Sequence, residues 1–158
     1  MTSEAKKEFT LRISQANPSE IVVITYEIAL SYLKDAKDAL KKEQRAEYKS
    51  AVSHVQKCII TLMEALDFKQ ELSMRLMELY AYAERELAKA SVKKQEEYLV
   101  HAEQVFIGLL PAFREISRQD TRKAMMENAQ TVYAGLTYGK NDLNENVSND
   151  SNSRGFRA

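Results

Sequence analysis

The sequence predicts an all-α protein, an antiparallel four-helix bundle with a short N-terminal arm and an additional C-terminal helical segment. Between Ser19 and Ile107 there is no glycine or proline, and Glu, Lys, Ala, Leu and Gln dominate, the composition of a chain that stays helical. Apolar residues recur four times over at alternating spacings of three and four, which buries one stripe per helix. Short polar stretches near 42–45, 69–70 and 93–95 are the only interruptions. Helices of roughly 20 residues or more, joined by connections this short, run antiparallel.

Residues 1–16 form a charged arm in which "KEFTLRI" supplies three apolar side chains, Phe9, Leu11 and Ile13. The bundle domain spans 17–122. Its first helix has a well-marked start: Asn17 as N-cap, Pro18 at the first helical position, and Glu20 placed to close a capping box. Val22, Tyr26, Ala29, Leu33, Ala36 and Leu40 make one stripe of this helix, and Ile21, Ile24, Ile28 and Tyr32 a second stripe beside it. The second helix carries Tyr48, Val52, Val55, Ile59, Leu62 and Leu66; the third, Leu72, Leu76, Leu79, Ala83, Leu87 and Ala90. Leu99, Ala102, Phe106, Leu110 and Phe113 form the seam of the fourth. Pro111 must lose its bond to the Ile107 carbonyl, so a kink or break is expected there. Beyond it, Met125, Ala129, Val132 and Leu136 keep helical spacing within an extension at 123–140, and 141–158 has the Asn/Ser/Asp composition of a disordered tail.

Composition excludes several function classes. The 158 residues carry 23 basic and 23 acidic side chains, so no overall field favours nucleic acid or an anionic membrane. No apolar run approaches the roughly 20 residues of a membrane span, and 1–11 is too polar for a signal peptide. The single cysteine, Cys58, suits a reducing cytoplasm. Metal-holding bundles use Glu-x-x-His pairs; His54 and His101 follow "AVS" and "YLV", without Glu three residues back. Glu97 and His101, four residues apart, read as a surface contact, and His54 falls on a solvent flank. Cys58 reads as a small buried hydrophobe, and Ser50 and Ser53 have no paired base. Neither an enzyme, a metal nor a cofactor is expected.

What remains is the second apolar stripe of the first bundle helix. A helix apolar most of the way round is either enclosed by its own domain or covered by a partner. Neighbouring helices that wrap further round would meet the need, and so would a docked segment. Met63, Met74, Met77 and Tyr80 also lie off their seams, and adaptable methionines suit a surface that accepts another helix as well as a core that needs gap-filling.

"NPSEIVVITYEIALSYLKDAKDAL", "AVSHVQKCIITLMEALDF" and "LMELYAYAERELAKAS" together resemble the flagellin-specific export chaperone family, FliS, over roughly residues 9 to 116. The resemblance implies a cytoplasmic helical bundle that holds the C-terminal helices of flagellin in apolar grooves, prevents their premature polymerisation and delivers them to the flagellar export gate. It places Ile21, Ile24, Tyr26 and Ile28 on the groove-forming helix and Tyr80 and Tyr82 in a Leu-Tyr-x-Tyr motif. Met77, off its own seam, joins them as a flagellin-binding candidate. Phe9, Leu11 and Ile13 match an apolar arm that lies over the groove when flagellin is absent. Three departures from the family pattern stand out: Lys69-Gln70 where glycines usually follow Leu-Asp-Phe, Ala90-Ser91 for Ala-Asn, and Phe113 where many members carry Trp. The extension at 123–139 either lengthens the bundle in a permanent groove or stands in for flagellin in its site. An alternative is a structural or signalling adaptor that buries the same stripe in a homodimer.

Overall fold

The computed structural model describes residues 1–124 as five helices and no strand: α1 (Ser3–Gln15), α2 (Pro18–Lys41), α3 (Arg45–Glu64), α4 (Glu71–Lys93) and α5 (Glu96–Gln119). The C-terminal extension from 125 onward and the tail at 141–158 lie outside the described residues. Helices α2 to α5 close a four-helix ring in which α2 packs on α3 and α5, and α4 on α3 and α5; the fifth helix, α1, packs on the outside of α2.

Each boundary has a local cause. Asn17 accepts from Glu20 N–H, and Glu20 accepts from Asn17 N–H, both at 2.8 Å, so the capping box at the start of α2 is complete. Helix α2 ends at a left-handed Glu43 (φ 56°) and α4 at a left-handed Lys94 (φ 52°), positions where glycine is the usual choice. Between α3 and α4 there is no glycine, and Asp67 makes the turn instead. Its carboxylate accepts from Lys69 N–H at 3.0 Å, while its carbonyl accepts from Gln70 N–H at 2.9 Å and from the Ser73 hydroxyl at 2.6 Å. Pro111 neither ends nor splits α5, which runs through it to Gln119. Pro111 and Ile107 both sit on the exposed face, where water can satisfy the carbonyl that the missing N–H would have bonded.

The core confirms three of the four expected seams and shifts one. In α4 the buried residues are Ser73, Leu76, Tyr80, Ala83, Leu87 and Ala90, spaced three and four apart, whereas Leu72 and Leu79 are exposed. Tyr80 is therefore a core residue. Its hydroxyl lies 2.5 Å from that of Tyr26 on α2, with both side chains within 1 % of complete burial. The Tyr26 ring also meets Phe106 (5.8 Å, tilted) and Phe113 (5.4 Å, edge-on) on α5, the tilted geometries that aromatic quadrupoles favour. Burial pushes both Tyr26 and Tyr80 above the ordinary tyrosine range, and the neighbouring phenol adds to the rise at Tyr26 while opposing it at Tyr80. They stay neutral, and each hydroxyl depends on the other as its partner.

A polar latch joins the end of α5 to the start of α2. Ser19 donates to Asp120 at 2.5 Å, Arg122 pairs with Asp120 at 2.6 Å, and the Asn17 amide donates to the Ser117 and Asp120 carbonyls at 3.4 and 3.3 Å. Hydrogen bonds from Arg122 and Ser19 hold the Asp120 carboxyl well below the usual carboxylate range.

Two outcomes are expected. Tyr26→Phe and Tyr80→Phe should each cost about 1–2 kcal/mol, because a buried hydroxyl loses its partner, and the double variant should cost clearly less than the sum; urea unfolding of the cycle measures this. A depressed carboxyl contributes stability above its unfolded pKa of about 3.9, lost as pH falls through the lower folded value. Asp120→Asn should therefore lower the melting temperature at pH 6–7 and cease to differ from the parent chain in strong acid.

Candidate functional site

The outer side of α2, around Ile24, is covered by the chain's own N-terminus. Ile21, Ile24 and Ile28 are 2 %, 3 % and 0 % exposed, and α1, expected as an arm, is a helix folded back on α2, with Arg12 and Ala16 beside Ile24. Thr2 caps it by accepting from Ala5 N–H at 3.2 Å, and the turn at Ala16-Asn17 reverses the chain into α2. Ile13 and Ala16 join the core, Phe9 packs half-buried against it, and Leu11, the third expected arm residue, points outward at 61 % exposure.

Charge fixes the position of α1. Glu27 on α2 is bridged from two sides, by Arg12 of α1 at 2.6 Å and Arg114 of α5 at 3.0 Å. The Arg12 guanidinium also lies 5.6 Å from the centre of the Phe9 ring, and the terminal ammonium of Met1 pairs with Asp35 further along α2. The order of these contacts makes α1 antiparallel to α2. Beside the bridge, a cleft of about 450 Å³ opens between Arg12, Ala16, Val23, Ile24 and Arg114, so the groove over Ile24 is only partly filled by α1.

Docking of α1 is weak by construction. A helix of 13 residues is too short to stand alone in water. Burying Ile13 contributes about 1.5–3 kcal/mol, and each half-exposed ion pair at most about 1 kcal/mol. With these few contacts, α1 is the most loosely held of the five helices.

The other expected site residues do not converge on this groove. Tyr26 and Tyr80 are in the bundle interior. Met77 lies on the edge of α4 toward α3, the side where Gln56 donates to Glu84 at 2.8 Å, and Tyr82, 38 % exposed, lies on the edge toward α5. His54 is stacked on Tyr32 with ring centres 4.3 Å apart rather than pointing to solvent. His101 pairs across the α4–α5 interface with Glu86 at 2.6 Å, in place of the expected contact with Glu97. Glu86, 3 % exposed, was not evident from the sequence, since nothing in its spacing marks it as buried. Its carboxyl is held below the usual range by hydrogen bonds from Lys89 and His101.

Nucleophilic chemistry has no support in this geometry. Cys58 is fully buried, and burial pushes its thiol up to about 12, so it is protonated and unreachable at neutral pH. Among the described residues no group of three or more His, Cys, Asp or Glu side chains could hold a metal ion, and no helix is long and apolar enough to cross a membrane.

A family model described as "Flagellar protein FliS" matches residues 1–120 of the chain. A search of curated proteins finds no match.

Glu27→Gln should loosen α1 without disturbing the bundle, because both arginines lose their common charge. Amides of 3–15 should exchange with solvent about 2–5-fold faster, while those of α2 to α5 keep their protection.

Proposed function

The chain belongs to the FliS family of flagellar export chaperones, and from that premise we propose that it acts in the cytoplasm by holding the C-terminal helices of flagellin in the α2 groove that α1 covers. One observation carries the reading: an amphipathic helix already lies along α2 beside Ile24 and is held by one buried isoleucine and partly exposed charges. A groove filled by a weakly bound helix of the same chain is suited to a stronger helix from a partner.

Mechanism follows from burial alone. Flagellin termini that assemble by burying apolar faces on one another meet an equivalent apolar surface here, and a segment seated on it is unavailable for polymerisation. The binding step exchanges α1 for flagellin. Phe9 and Ile13 leave, the Arg12 bridge to Glu27 opens, and Arg114 remains on Glu27 to border the groove. Tyr26 and Tyr80, locked below by their hydroxyl pair, keep α2 at a fixed distance from α4 during the exchange. The cost of displacing α1 lowers the net affinity, which favours release of the cargo to the export gate.

Deleting residues 1–13 removes the competing contact, so flagellin should bind the shortened chain about tenfold more tightly, mainly through a faster on-rate. Titration calorimetry and stopped-flow binding with a flagellin C-terminal fragment measure both, and light scattering should report a one-to-one complex. A deletion that weakens binding would make α1 part of the site, and no binding by either chain would remove the proposal.

A further inference from the structure

Glu27 is shared between the four-helix ring and the helix that covers it. One carboxylate oxygen accepts from Arg114 of α5 at 3.0 Å, and the other pairs with Arg12 of α1 at 2.6 Å. The first contact joins two helices of the ring and does not involve α1. The second is made by α1 alone. With α1 docked, the Glu27 side chain is 19 % exposed, so its charge is partly withdrawn from water and the loss of one of its two guanidinium partners is felt.

The surroundings sharpen this asymmetry. The cleft of about 450 Å³ beside Ile24 is bordered by Glu20, Glu27, Arg12 and Arg114. The Glu27 carboxylate therefore faces open volume, through which a second cation can approach while Arg12 is still in place. Departure of α1 takes Arg12 with it and leaves two carboxylates against one guanidinium, an acidic rim beside the apolar Val23 and Ile24. Fixed charge of this sign selects a cation and repels an acid. Arg12 shows the form that such a cation takes: it directly precedes Ile13, the buried anchor of α1, so a single turn of helix brings a charge to Glu27 and an apolar side chain to the core.

We propose that Glu27 is a specificity-determining residue of the groove, and that the bound flagellin helix replaces Arg12 with a lysine or arginine of its own, held by the freed oxygen of Glu27 next to an apolar anchor. The inference rests on the flagellin reading above and adds a charge to a site otherwise recognised by apolar burial. Helix α1 is then the template for its own displacement. A segment that carries a cation beside its anchor recovers the bridge that α1 gives up, and one that carries an acid there is rejected.

Stopped-flow binding of a flagellin C-terminal fragment to the full chain separates the partners of the bridge. Arg12→Gln loosens α1 only, so the on-rate should rise about two- to fivefold while the off-rate stays at the parent value. Glu27→Gln loosens α1 in the same way and also removes the contact to the cargo, so both the on-rate and the off-rate should rise about two- to fivefold. Arg114→Gln breaks the ring contact but leaves the carboxylate to the cargo, and its off-rate should be at or below the parent value. A faster on-rate in the Arg12 and Glu27 variants with no change of off-rate in Glu27→Gln would overturn the inference and leave the flagellin reading standing. An off-rate raised equally by Arg114→Gln and Glu27→Gln would also overturn it, because the loss of the ring contact would then be the cause. Parent rates in all three variants, or no binding to any chain, would remove the α1-covered groove and this inference together.

Discussion

The structure is organised by the need to enclose α2. Half of its 24 residues are buried, more than a single core-facing stripe supplies, and a four-helix ring offers each member only two neighbours. Helices α3 and α5 take two sides. The third side would expose Ile24, worth about 1.5–3 kcal/mol when covered, so a third wall over α2 is favoured in water. Helix α1 is that wall, and the capping box at Asn17 sets the turn from which it folds back. The Tyr26–Tyr80 pair depends on the same condition, because two hydroxyls withdrawn from water are tolerated only where α2 is held rigidly against α4.

Much of this was legible in the sequence where periodicity and local chemistry agreed. The seams of α2, α3 and α5, the capped start at Asn17 and the breaks between helices all follow from spacing, propensity and polar interruptions. The seam of α4 misled because it begins at a serine: Ser73 is buried through a bond to the Asp67 carbonyl, and the row Leu72, Leu79 beside it is the more apolar of the two. Pro111 suggested an interruption that an exposed carbonyl makes unnecessary. Of the groove, Ile21, Ile24, Ile28 and Ile13 stood out as apolar residues in excess. The bridge from Arg12 through Glu27 to Arg114 did not, since it joins three helices and leaves no periodic trace. Glu86 was hidden for a similar reason, as its burial depends on His101 arriving from another helix.

The distribution of charge over the ring separates its sides. Ion pairs cross the α2–α5 side at three levels, and a polar bond between Gln56 and Glu84 crosses the α3–α4 side. On the α4–α5 side the described polar crossings, Glu86 with His101 and Lys93 with Tyr98, lie toward one end. The only thiol of the chain is sealed in the core, and the buried tyrosines are held neutral.

The covering helix also bears on how such a protein can let go. A permanent, fully stable wall over α2 would exclude any partner, and an absent wall would leave the stripe to aggregate or to bind irreversibly. On the proposed reading a loosely held helix avoids both: Ile13 and the Glu27 bridge close the groove when it is empty, and the ordering cost of 13 residues helps a longer amphipathic partner to open it. The reverse step uses the same terms. Because α1 remains covalently attached through Ala16 and Asn17, it returns at a high effective concentration, independent of the concentration of chaperone or cargo. Whatever loosens the partner's hold on part of the groove lets α1 re-enter there, so release can proceed stepwise without an external energy source acting on the bundle itself.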